Sequence, residues 1–240
     1  MQDTALRLYV TSPVIPLANQ LTNAYAPVDP AVTFEIITGN FETVYGRVRT
    51  DHTAYFLTNH LPPESLWAAP IGQDGIAVIV HPGNAVRALT LEQLHAVYRG
   101  QVVHWRDLGG AEREIAVFTR ENGSGTRIEF ERQVVGVGET TRSAQIVPSS
   151  AAMIDAVSRT PDGIGFVSMS YLDANVRAVA INGVRPTGDT VYDNTYPLRT
   201  FLYVAGYAEP HNPFRAFIFW IQSLEGQQIV GRSYAPLLRP

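Results

Sequence analysis

The residues best equipped for chemistry lie in one run, Thr119 to Gln133, which reads TRENGSGTRIEFERQ. Arg120 is followed by Glu121, Asn122, the tract Gly123-Ser124-Gly125-Thr126 and a helix-forming stretch. Small residues let the backbone approach a ligand closely. Ser124 and Thr126 bring two hydroxyls to a helix start, where free amide hydrogens and the positive end of the helix dipole collect. Arg120 adds a permanently charged fork that matches a tetrahedral oxyanion. Together these residues describe an anion cradle. They also describe a Gly-Ser turn that caps a helix, with Arg120 as a surface charge. On this segment alone both readings stand.

Other chemistries find less support. Histidines stand at 52, 60, 81, 95, 104 and 211. No pair has the i, i+4 spacing of a helical zinc motif, so no metal site is expected. His60 follows Thr58-Asn59 and is the one histidine kept as a candidate, although a partly exposed loop imidazole explains it more simply. Ser124 between glycines does not make the Gly-x-Ser-x-Gly elbow of a hydrolase, and nothing identifies a partner base. A Walker-type phosphate loop is also absent from the sequence. No catalytic residue and no cofactor are assigned.

Such a loop needs elements to hold it. Leu6, Leu8 and Val10 alternate as in a strand. Ser12 as N-cap and Pro13 at the first helical position predict a helix with Leu17, Leu21, Ala24 and Tyr25 on one face. Val32, Phe34 and Ile36 alternate again, a weak helix covers about Phe41 to Arg49, and Thr53 to Thr58 forms a third strand. Asp74-Gly75 punctuates the chain before a buried-type strand, Ile76 to Val80. Thr90-Leu91-Glu92-Gln93 has capping-box form and starts a helix that stops near Gly100. Ile115, Val117 and Phe118 form the strand that runs into the Arg120 loop, and Thr126, Phe130, Gln133 and Val134 share a face of the next helix. Ala151 to Ser158 reads as a helix and Gly163 to Ser168 as a turn and strand. Ile181 to Pro197 reads as a polar surface excursion, Phe201 to Val204 as a strand. Phe214, Phe217, Ile218 and Ile221 form the stripe of a late helix. Trp67, Trp105 and Trp220 read as packing residues. Alternating strands and helices predict an α/β fold with largely parallel pairing. In such sheets ligands bind at the carboxyl ends of the strands.

Bulk properties limit the function. The chain has 240 residues, 45% hydrophobic and 17% charged, an ordinary globular composition with room for one large or two small domains. A net charge of −4 gives no basic field for nucleic acid or an anionic membrane. There is no cysteine, hence no disulfide and no thiolate ligand. No apolar run reaches membrane-spanning length. Met1-Gln2-Asp3 leads almost directly into the first strand without a signal peptide. The expectation is either a cytoplasmic protein or a mature form with an added Met.

Several separated segments together resemble the substrate-binding protein of ABC-type phosphate importers. These are TSPVIPLANQL (11–21), IGQDGIAVIVHPGNAVRALTLEQLHAVYRGQVVHW (71–105), the Arg120 to Thr126 loop, DGIGFVSMSYL (162–172), YPLRTFLYV (196–204) and FIFWIQSLEGQQIVGRSYAPL (217–237). The resemblance implies a class II periplasmic-binding-protein fold: two lobes, each a mixed, mostly parallel sheet flanked by helices, with a ligand cleft between them. Residues 1–75 plus 197–240 would form lobe I and 76–196 lobe II. Arg120, Ser124, Gly125 and Thr126 fall on the family's oxyanion positions, and Ser12 and Val14 on its first-lobe turn. Thr38 lies in the second cradle, and Thr58-Asn59 lies where the family places a Ser with an Asp or Arg. The implied protein is non-enzymatic, extracytoplasmic and monomeric, and it serves an importer permease. It would meet the membrane only through that permease or a lipid anchor. A sensor or interaction domain with altered or lost binding is the alternative role.

Three departures from the family pattern carry consequences. Asn122 stands where many members have an Asp that accepts from a protonated phosphate oxygen and rejects sulfate, so that discrimination should weaken. Ile37-Thr38-Gly39-Asn40-Phe41 keeps one glycine of a Ser-Gly-rich cradle, and Phe41 is expected to crowd it. The tract from Asp51 to Asn59 is more aromatic than its family counterpart.

Overall fold

The computed structural model describes residues 4–239. Met1 to Asp3 and Pro240, which the lobe I expectation includes, lie outside the described residues. In chain order the first elements are β1 (Thr4–Thr11), α1 (Ile15–Tyr25), β2 (Val32–Gly39), α2 (Phe41–Thr50), β3 (Tyr55–Thr58) and β4 (Trp67–Val80). Next come β5 (Ala88–Leu89), α3 (Leu91–Tyr98), β6 (Ala116–Arg120), α4 (Gly125–Phe130), β7 (Gln145–Val147), α5 (Ser150–Arg159) and β8 (Gly163–Ser168). The last are β9 (Arg177–Ala178), β10 (Ala180–Ile181), α6 (Gly188–Tyr192), β11 (Arg199–Gly206), α7 (Phe214–Gln222) and α8 (Leu224–Val230). The chain divides into two compact units: the residues through Asp74 with those from Thr200 onward, and Gly75–Arg199.

In the first unit β1 pairs in parallel with β2 and β3, and β3 pairs antiparallel with β11. Helices cover both faces, so successive residues Leu8, Tyr9 and Val10 are all buried rather than alternating. On one face Tyr25, Phe34, Phe217 and Trp220 pack ring against ring, with Phe34 and Phe217 centroids 4.6 Å apart. On the other face Tyr9, Phe41, Val44, Val48, Phe56 and Leu66 form a cluster under α2. Phe41 therefore packs into a core, stacked on Tyr45 and edge-on to Phe56 and His60, and the expected crowding of the Thr38 turn is not its role.

In the second unit β6 pairs in parallel with β7 and β8, while β4 pairs antiparallel with β8 and β9. All six residues of β8 are buried. Phe130 of α4 stacks on Phe166 of β8 at 3.9 Å, and Tyr98 of α3 meets Phe130 edge-on at 4.6 Å. The predicted capping box of α3 forms in full: Thr90 Oγ1 accepts from the Gln93 amide and Gln93 Oε1 from the Thr90 amide. The Thr126–Phe130–Val134 face is buried, but after Phe130 the helix widens into a π turn, Glu131–Val135, closed by Gly136 at φ +65°.

Four sequence expectations change. Ser12 is not the N-cap of α1; it opens a 3-10 turn, Ser12–Val14, and Val14 holds the cap position. Thr53 and Ala54 stand outside β3, which begins at Tyr55. Asp74-Gly75 is no turn but lies inside the 14-residue strand β4. Its glycines serve close packing: a Cβ on Gly72 would sit 2.7 Å from Val230 Cγ1, and one on Gly75 2.9 Å from Val191 Cγ2. Finally, 181–197 is not a plain surface excursion. It contains α6, with a second capping box at Thr187 and Thr190, and it buries Val191 and Tyr196 completely. Tyr196 donates its hydroxyl to the Ile76 carbonyl, a partner 120 residues away that no local pattern could reveal.

Candidate functional site

The second-unit residues gather at the carboxyl end of β6. That strand lies between β8 and the edge strand β7, and it ends at Arg120. The turn Glu121-Asn122-Gly123 follows, with Gly123 at φ +81°, a conformation that suits glycine. The Ser124 amide donates to the Glu121 carbonyl at 3.3 Å. Ser124 is the N-cap of α4, its Oγ accepting from the Arg127 amide at 3.3 Å. Gly125 and Thr126 occupy the first helical positions, where amides lack intrahelical acceptors. Ser124, Gly125 and Thr126 are buried. The helix-cap reading is thus correct for Ser124 and does not exclude the cradle.

Arg120 bears on the second part of the cap reading. It is 1% exposed, so it is not a surface charge. Nε and Nη2 donate to the two Glu121 carboxylate oxygens at 2.9 and 3.1 Å. Nη1 donates to Ser150 Oγ at 3.3 Å. Three of the five guanidinium N–H groups are so engaged, which leaves two donors. Ser150 arrives because β7 lies beside β6, with Arg120 opposite Val147, and the chain then turns into α5 under the Ser149 cap. A fully buried guanidinium with donors left over is costly unless an acceptor reaches it.

A second arginine fastens the turn. Arg127 Nη1 donates to the Arg120 carbonyl and to Asn122 Oδ1, each at 2.9 Å, and its Nε donates to Glu131 Oε1 at 2.9 Å. Thr140 Oγ1 completes the chain by donating to the same Glu131 oxygen at 2.7 Å. Asn122 thus directs its carbonyl oxygen to Arg127 while its side chain remains exposed. Beneath the strand, Tyr98 donates its hydroxyl to the Phe118 carbonyl. Burial pushes that phenol well above its ordinary pKa, so it remains a donor.

The first-unit candidates also share a sheet edge. Parallel register sets Thr11 beside Gly39 and Val10 beside both Thr38 and Leu57. Ser12, Thr38 and Thr58-Asn59 therefore fall at the carboxyl ends of β1, β2 and β3, and Val14 stands one turn on. Ser12, Val14, Thr58 and Asn59 are buried, while Thr38 is exposed. Thr58 Oγ1 accepts from the His60 amide, and the Asn59 carbonyl accepts from Thr200 Oγ1 at 2.7 Å.

Sequence reasoning overlooked Glu121, Ser150 and Arg127. Glu121 had one available signal, its position directly after the candidate Arg120. Arg127 and Glu131 stand at i, i+4 spacing, which marks a helical ion pair but not its reach to the loop. Ser150, thirty residues from Arg120, had none. Among the described residues no group of three or more His, Asp or Glu is arranged to hold a metal ion, and no helix is long and apolar enough to cross a membrane.

Comparison with known proteins agrees with this architecture. A family profile described as a PBP superfamily domain matches residues 47–225. The phosphate-binding protein PstS of Pseudomonas aeruginosa is 30% identical over 193 residues, covering 71% of this chain; the chain spans about 60% of that relative's length. A solved structure from Clostridium perfringens, described as a phosphate ABC transporter substrate-binding protein with bound phosphate, superposes with a TM-score of 0.92 at 28% identity, covering 98% of this chain and 100% of the other. An ABC-type phosphate transport receptor from Vibrio cholerae gives a TM-score of 0.78 at 25% identity, covering 96% and 99%. The fold is the mixed α/β, class II periplasmic-binding-protein fold.

Proposed function

Because the chain belongs to the PBP superfamily, we propose that it is a solute-binding protein that captures inorganic phosphate, or a similar tetrahedral oxyanion, for an ABC importer. The observation that carries this reading is the buried Arg120, held on one edge by Glu121 and retaining two N–H donors, in the same turn that leads into the helix start at Ser124 to Thr126. Fixed donors of this kind stabilise a tetrahedral anion without reorganising when it arrives. The phosphate named in the relatives and in the bound Clostridium structure supports the choice of ligand.

In this reading Arg120, Ser124, Gly125 and Thr126 are the principal ligands, with Asn122 at the rim. Ser12, Val14, Thr38, Thr58 and Asn59 supply the first-unit donors, and the two units act as lobes I and II. The protein works outside the cytoplasm as a monomer, delivers its ligand to a permease, reaches the membrane through that partner or a lipid anchor, and catalyses no reaction. The test is direct. Phosphate at ~100 times its dissociation constant should add about 2.7 kcal/mol of stability. A melting temperature unmoved by millimolar phosphate would instead favour a sensor or interaction domain that has lost its ligand.

A further inference from the structure

Glu121 is adjacent to Arg120 in sequence, yet its carboxylate takes Nε and Nη2 of that guanidinium, the full side edge of the fork. Successive residues of a strand point to opposite faces. The pair forms only because β6 stops at Arg120 and the chain turns at Glu121. Ser150 takes a hydrogen of Nη1. The two unused hydrogens belong to the Nη groups, the end of the fork away from Glu121's grip on Nε. An arginine tethered on one side keeps a fixed direction for the donors on the other, and the rotamer entropy of its long side chain is lost before any ligand arrives.

We infer that Glu121 is a positioning residue for anion capture: it orients Arg120 so that the outer edge of the guanidinium is presented to the oxyanion. The inference rests on the phosphate-binding reading above. It opposes the simplest electrostatic expectation, in which a carboxylate beside an anion site weakens binding and its removal tightens it. Positioning predicts the reverse sign.

Calorimetric titration of the full chain with inorganic phosphate at fixed ionic strength separates the two. Glu121→Gln removes the negative charge but breaks the two-pronged grip, and its dissociation constant should rise about tenfold or more, as loss of a bidentate charge-assisted contact implies. Glu121→Asp keeps the charge and shortens the reach, so it should also bind more weakly than the parent. In an Arg120→Lys background, Glu121→Gln should change affinity by less than about twofold, because the residue acts through the fork. A role confined to folding would lower the melting temperature equally in both backgrounds and leave the affinity of the folded protein unmoved. Glu121→Gln binding phosphate as tightly as the parent, or more tightly, overturns the inference alone. A parent protein that gives no phosphate signal overturns the functional reading and this inference with it.

Discussion

Arg120→Ala is the perturbation with the largest expected effect. The side chain is 1% exposed and keeps two N–H donors beyond those engaged by Glu121 and Ser150. Each hydrogen bond from a charged group contributes roughly 1.5–3 kcal/mol. Truncation also leaves the Glu121 carboxylate, only 21% exposed, without its cation and close to the arriving anion. The two effects act in the same direction, while water entering the vacated space offsets part of the loss. The net penalty should fall at about 2–5 kcal/mol, the range measured when one partner of a buried charge pair is truncated. In affinity that is roughly thirtyfold to several thousandfold. Isothermal titration with phosphate reads it directly, with a circular-dichroism melt to establish that the variant is folded. Arg120→Lys should fall between parent and Ala, because an ammonium restores charge but not the planar fork. A folded Arg120→Ala variant with parental phosphate affinity would refute the assignment of Arg120 and the argument that its unused donors serve a ligand.

Asn122 holds its carbonyl oxygen toward Arg127, so phosphate should be only weakly preferred over sulfate, and Asn122→Asp should raise that preference in competition titrations. Thr90→Ala removes one half of the α3 capping box and should cost about 1 kcal/mol in urea unfolding. Gly226→Ala places a Cβ 2.2 Å from the Trp220 carbonyl oxygen, a backbone atom that cannot swing aside, and should destabilise by about 1–3 kcal/mol or more by the same assay. The Asp51 carboxyl is held below its ordinary pKa first by the hydroxyl of Thr53, with Arg7 adding to the effect. A depressed folded pKa stabilises above the unfolded value and loses that contribution as pH falls through the folded one. Thr53→Val should therefore move the Asp51 titration upward in an NMR pH series.

What the sequence revealed and what it hid divide by how far apart the cooperating residues lie. The α7 stripe and the Thr90 capping box are local, set by spacings of three and four residues, and both appear as read. Punctuation misled where a glycine answers to a distant neighbour. Gly75 looks like a breaker, but it is small because Val191 presses on β4 from far along the chain. Phe41 misled for a related reason: beside a candidate ligand turn it looked obstructive, and only the packing of α2 over Phe56 shows that its ring belongs to the core. At the Arg120 loop the two sequence readings differed in one physical quantity, the burial of a guanidinium, and no spacing rule encodes that. It depends on β7 bringing Ser150 alongside and on β6 ending one residue before Glu121. A buried arginine with an adjacent carboxylate and spare donors is a local arrangement in sequence and a long-range one in cause. Under the proposed reading Arg120 and Glu121 act together, the carboxylate setting the direction of the guanidinium.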